Sequence, residues 1–353
     1  EHVSHLFAWG EDNAELWRQY PQLPAGIPIH ITGNPRVDLL RPDVQGYYKA
    51  EADQIRQIYG DFILINTNFN HVNAFYPGQN LFQPLKKPGE KARFGQSARG
   101  MTREYAEGFR DHKQAVFEDF QKLIPELASA FPKHTVVVRP HPTENQEIYH
   151  KLAAQCQRVQ VTNEGNVVPW LMAAKALIHN GCTTGVEAYV MRLPAVSYRV
   201  TVNDYYDDGF YHLPNRLSHQ CFDFEELRVT LERIFSGELG SPGGEEREAL
   251  INHYLVAREG PLSCERMVDV LAKIADVLDQ TPIPTLEKRL AGWFKATFRR
   301  MQKVYKTYRP GSFKSVDFER HRYPGITPPE LAERLERFQQ VLGDDTKLHL
   351  DPI

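Results

Sequence analysis

Apolar runs and amphipathic stretches take turns along the middle of this chain, and their spacing predicts alternating strands and helices. Phe62-Ile63-Leu64-Ile65 reads as a strand running into the polar loop Asn66-Thr67-Asn68-Phe69-Asn70. From Thr102 to Phe131 apolar residues, among them Phe109, Val116, Phe120, Leu123 and Leu127, recur at helical spacing, the mark of a surface helix covering a sheet. The β-branched run Thr135-Val136-Val137-Val138 predicts a strand ending in Arg139-Pro140-His141-Pro142-Thr143-Glu144. Thr143 and Gln146 fit a capping box for a helix toward Ala154, which would set His141 just before a helix start. Strands at 159–161, 176–179 and 195–198, with helices at 169–175 and 184–191, continue the alternation. Upstream, strand 3–8, helix 11–20 and strand 27–31 form a smaller unit, followed by a charged helical stretch to about Tyr59. Residues 75–100, with several Pro, Gly and Lys, read as a long loop, and such loops are functional or mobile.

This order implies an α/β protein with a doubly wound parallel sheet. Ligands of such sheets bind beyond the carboxyl ends of the strands, where Asn66 to Asn70, Arg139 to Glu144, Asn180 to Glu187 and Arg199 fall. Ile178-His179-Asn180-Gly181-Cys182-Thr183-Thr184-Gly185-Val186-Glu187-Ala188 joins a strand, a small-residue loop and a new helix, a junction suited to an anion. With the Arg139 to Glu144 loop it predicts one nucleotide-phosphate cleft. Past Phe222 the pattern turns helical. Apolar positions 286, 290, 293, 294, 298, 301, 304, 305 and 308 share one face of a helix whose seven cations meet a single acid, Glu287. A closing helix spans 328–342.

Composition narrows the partners. The 353 residues are 41% hydrophobic, enough for a real core, and the net charge of −3 gives no global field for nucleic acid. Cys156, Cys182, Cys221 and Cys264 show neither a disulfide framework nor metal-ligand spacing, so a reducing cytoplasm is expected. No apolar run approaches the roughly 20 residues that span a bilayer. No Asp-x-Asp pair stands at a strand end, so metal-independent chemistry without a cofactor is expected. The chain begins with Glu1, not Met, and reads as a piece of a longer protein.

Arg139 to Glu144, Asn180 to Ala188 and Thr32-Gly33-Asn34-Pro35-Arg36-Val37-Asp38 together resemble the bacterial surface carbohydrate biosynthesis protein family. That family is similar to capsule Kdo transferases, polysialyltransferases and the CDP-glycerol glycerophosphotransferases of teichoic acid. Leu6-Phe7-Ala8-Trp9-Gly10, the Asn66 loop and Tyr323-Pro324-Gly325-Ile326-Thr327 extend the resemblance over nearly the whole chain. It implies a GT-B glycosyltransferase: 1–40 as the last strand-helix-strand of an N-terminal Rossmann-like domain, 41–280 as the nucleotide-sugar domain, and 281–353 as a basic helical tail. It further implies transfer from a nucleotide sugar, CMP-linked on first reading, to a glycan or glycolipid acceptor during surface polysaccharide synthesis. The rivals are a UDP-sugar 2-epimerase, glycerophosphate transfer from CDP-glycerol, and a non-catalytic nucleotide-binding subunit.

Each candidate residue has a plainer use. By the resemblance His141 contacts the donor phosphate and assists nucleotide departure, or else it only braces its loop. Asn180, Gly181, Thr183, Thr184 and Gly185 would grip phosphate. Glu187 would either accept ribose hydroxyls or cap its helix from Thr184. Arg139 would balance donor charge or pair with a structural carboxylate. Asn66, Thr67 and Asn68 would touch phosphate or sugar, or serve as turn residues. Arg199, Tyr205 and Tyr206 would wall the cleft. Cys182 reads as packing. The basic helix 286–308 would lie on the inner membrane surface or pack back on the fold.

Overall fold

Every side chain of the strand Phe62–Asn66 (β3) is buried, because helices cover both faces of the sheet it centres. In this computed structural model, which describes residues 3–85, 87, 89–207, 212–278, 285–308, 315–316, 320 and 325–346, β3 pairs on one side with Thr135–Arg139 (β4). Val159–Val161 (β5) lies beyond β4. On its other side β3 pairs with Ala176–His179 (β6), followed by Ala195–Tyr198 (β7) and His219–Cys221 (β8). All five pairings are parallel, in the order β5-β4-β3-β6-β7-β8. The doubly wound α/β class read from the sequence is the one observed. Strand order reverses between β3 and β6, so the crevice lies where the loops after Asn66 and His179 leave the sheet.

Alternate residues face opposite cores. Ile63, Ile65, Val136, Val138 and Ile178 pack under the helices Arg103–Ala130 (α4) and Phe224–Phe235 (α10). Phe62, Leu64, Val137 and Leu177 pack under Lys49–Tyr59 (α3) and Val167–Ala173 (α6). Residues 75–100 hold a short 3-10 turn and are tied down by Leu81, Phe82 and Ala98, which form a small core with Ala106 and Phe109 of α4.

Leu6–Ala8 (β1) and Ile29–Ile31 (β2) make a separate two-stranded parallel sheet around Glu11–Arg18 (α1). Gly10 precedes α1 where a Cβ would lie 2.5 Å from the backbone of Tyr254, at the end of Glu245–Tyr254 (α11). The short helix Pro35–Asp38 (α2) ends in Asp38, whose buried carboxylate accepts from the amides of Ser263 (2.8 Å) and Cys264 (3.0 Å) and so caps Ser263–Leu278 (α12). The chain divides into compact units 1–264 and 265–353, with the β1–β2 sheet inside the first. The second holds Leu286–Thr307 (α13) and Pro328–Leu342 (α14), the latter opened by a Thr327–Glu330 capping box. Tyr323 and Pro324 lie outside the described residues.

Two other capping boxes expected from the sequence do not form. Helix Glu147–Ala153 (α5) starts four residues after Thr143, and Asn145 Oδ1 takes the Glu147 amide instead. Helix Thr184–Val190 (α7) has Thr183 at its N-cap already in helical backbone geometry, with no side-chain cap, while the amide of Gly185 closes on the carbonyl of Cys182.

Candidate functional site

The loops after β3 and β4 are zipped together by Glu144. Its carboxylate is fully buried and accepts from Thr67 Oγ1 (2.8 Å), Tyr149 Oη (2.6 Å) and the His141 amide (3.1 Å). Burial raises its pKa, against the pull of those donors. Backbone bonds from Phe75 to Thr143 and from Asn145 to Asn73 fasten the same seam. The Glu144 amide closes a turn on the His141 carbonyl. Within that turn His141 Nδ1 accepts from the Thr143 amide (3.2 Å) and lies 2.7 Å from the Thr143 hydroxyl. An acceptor Nδ1 in a neutral imidazole leaves Nε2 carrying the proton, a tautomer assigned from the hydrogen-bond network.

His141 lines a cavity of about 580 Å³ together with Asn68 from the loop after β3 and Cys182 and Thr183 from the loop after β6. Three sequence-distant loops singled out by their chemistry therefore meet in one cavity. The rest of the lining was not legible as such. It comes from the first turns of α4 (Tyr105 and Phe109), from His71 and Met101, and from Tyr206 of Asp204–Asp207 (α8). Gly108 makes room for Tyr206, whose hydroxyl lies 1.8 Å from where a Cβ would stand. In α4 Lys113 is 2% exposed, and burial lowers its pKa to about 8. Burial, helped by the Lys113 charge, lowers His71 to about 4 and keeps it neutral. Asp207 takes His112 Nε2 (2.8 Å) on one oxygen and Arg199 Nη2 (3.1 Å) on the other. Burial opposes its ionisation, yet His112, Lys113 and Arg199 hold it down to about 2. The sequence did carry one signal: His112 and Lys113 interrupt the apolar stripe of α4.

Several candidates are placed otherwise than expected. Arg139 turns away from the cavity; its guanidinium donates to the carbonyls of Glu164 (2.8 Å) and Gly165 (2.6 Å) and stacks on Trp170, so it secures the loop after β5, and it forms no ion pair with a carboxylate among the described residues. Glu187 does not cap α7, because Arg36 of α2 draws its carboxylate into a 2.7 Å ion pair. Burial raises its pKa, opposed by Arg36. Thr67 is bonded to Glu144, Arg199 to Asp207 and Gln220, and Tyr205 is exposed. Cys182 is buried, which pushes its thiol pKa up. Asn66 stands in register between Arg139 and His179 at the strand ends. Its carboxamide and that of Asn180 are buried, and neither has a hydrogen-bond partner among the described residues.

Gly181, at φ 82°, donates its amide to His179 Nδ1 (3.0 Å), and His179 Nε2 meets Ser218 Oγ (2.8 Å). Burial lowers His179 to about 3, so the ring is a neutral strut. Gly185 packs α7 directly on it: a Cβ there would lie 2.5 Å from His179 Nε2. The substitution Gly185→Ala is therefore expected to cost about 1–3 kcal/mol of stability through overpacking. Chemical denaturation of the variant checks this, and wild-type stability would refute the tight fit.

No family profile matches the chain, and no curated protein does. Among solved structures it is similar to a variant of the wall teichoic acid polymerase TagF soaked with CDPG, at 13% identity and TM-score 0.46 over 79% of this chain and 58% of that one. A UDP-GlcNAc 2-epimerase from Neisseria meningitidis bound to UDP-GlcNAc is similar at 13% identity and TM-score 0.41, over 76% of this chain and 61% of that one. A glycosyltransferase from Rickettsia africae ESF-5 follows at 9% identity and TM-score 0.34, over 79% and 65%. The chain thus spans less than two thirds of the length of each.

Proposed function

We propose that the cavity at the carboxyl edge of the sheet binds the phosphate and sugar of a nucleotide-activated donor, and that the protein is a GT-B glycosyltransferase of surface polysaccharide synthesis. The observation that carries this reading is the meeting of Asn68, His141 and Thr183 in the lining of one cavity at the point where strand order reverses. The unpartnered amides of Asn66 and Asn180 support it, since a buried polar group left unmatched costs about 1–3 kcal/mol and is relieved by a polar ligand.

In the reaction an acceptor hydroxyl attacks the sugar carbon that carries the nucleotide, and the hydroxyl's proton passes to solvent. The bond from that carbon to the phosphate oxygen breaks, and the electron pair leaves with the phosphate. To His141 Nε2–H falls donation to the developing charge, and the Thr143 brace on Nδ1 orients the ring for it. The donor is cytidine-linked and its binding needs no divalent metal.

Thermal shift of the protein with CMP, CDP, UDP and GDP, each with and without EDTA, tests the reading, because a bound nucleotide raises the midpoint by mass action. Stabilisation by CMP or CDP that survives EDTA is expected. Stabilisation by GDP or UDP alone would remove the cytidine assignment, and silence from all four would remove the nucleotide site.

A further inference from the structure

α13 presents an apolar face that no part of the described structure covers. Leu286, Trp293, Phe294, Phe298, Met301 and Tyr305 are each at least 57% exposed, and no residue of the helix is buried. At 3.6 residues per turn the apolar positions occupy an arc of about 140°, and the cations lie on the other side. None of the seven cations Lys288, Arg289, Lys295, Arg299, Arg300, Lys303 and Lys306 forms an ion pair among the described residues, where many other Arg residues do. The local excess of positive charge contrasts with a chain total of −3. A helix packing on protein would leave its aromatic residues covered and its cations matched to acids. This one offers both to the same neighbour.

We infer that α13 docks on an anionic lipid surface, lying in the interface plane with Trp293, Phe294 and Phe298 sunk below the headgroups and the basic flank facing lipid phosphates. Charge complementarity selects the occupant, since a neutral apolar partner would gain nothing from seven unpaired cations. Among the described residues no helix is long and apolar enough to cross a membrane.

Co-sedimentation of the full chain with phosphatidylcholine vesicles containing about one quarter phosphatidylglycerol measures this directly. Binding is expected to fall steeply as NaCl is raised and to be at least about tenfold weaker on pure phosphatidylcholine. The double variant Trp293→Glu/Phe298→Glu should bind about tenfold less or worse, with an unchanged melting midpoint because both side chains are exposed. Equal binding to neutral vesicles would overturn the inference. So would absence of vesicle binding, and a dimer in sedimentation velocity that the same double variant dissociates would then assign the face to a second copy. Nucleotide titrations report on residues 1–264 and are read independently of this result.

Discussion

Replacing His141 with alanine is expected to slow sugar transfer by about 100- to 1,000-fold while leaving the protein folded. The side chain is only partly buried, and Thr143 braces its ring. Little packing is lost, whereas an imidazole that lines the cavity is removed. In the proposed reaction the imidazole donates to charge that grows as the nucleotide departs, so the loss should fall on kcat more than on nucleotide affinity. Transfer rates with the nucleotide sugar whose nucleotide stabilises the protein, set beside a denaturation curve, separate the two effects. Wild-type turnover by the variant would remove His141 from the chemistry.

The second large effect concerns stability. Glu144→Ala takes the acceptor away from Thr67, Tyr149 and the His141 amide at once, and the first two of these donors are buried. Unmatched buried donors make this an expected loss of about 3 kcal/mol or more. Urea denaturation should show the lower midpoint with the slope unchanged. Glu144→Gln keeps one acceptor oxygen and should fall between the two. An alanine variant as stable as the parent would show that the two loops are fastened by backbone bonds alone.

Much of this architecture was legible because it follows from short-range pattern. The apolar runs at Phe62 and Thr135 became β3 and β4 with boundaries nearly as expected, since a strand buried on both faces leaves little else for four or five consecutive β-formers to do. The Asn66, His141 and Thr183 loops were placed at one edge by topology alone. The partners of individual polar side chains were not legible. Glu144 reads as a loop acid, and only the folded chain brings Tyr149 and Thr67 onto it. Glu187 was left between ribose and cap, and its actual partner, Arg36, lies far away in sequence. Arg139 reads as a charge for a ligand, yet two carbonyls after β5 claim it. The aromatic wall from α4 was hidden because one helix serves two purposes: Val116 to Leu127 feed the core, while Tyr105 and Phe109 line the cavity.

The pairing of β3 with β6 has a bearing on the order of events in folding. Residues 63–66 and 176–179 meet across a wide stretch of sequence, and the loops that leave these two strands supply Asn68, Cys182 and Thr183 to the cavity. Closing so long a span carries a large entropic penalty before any contact offsets it, so this pairing belongs to a late stage. A chain that has formed only the β3–α4–β4 unit still lacks the Cys182 and Thr183 side of the cavity. Nucleotide should therefore slow unfolding without hastening refolding, because it can grip only a sheet whose two halves have already joined.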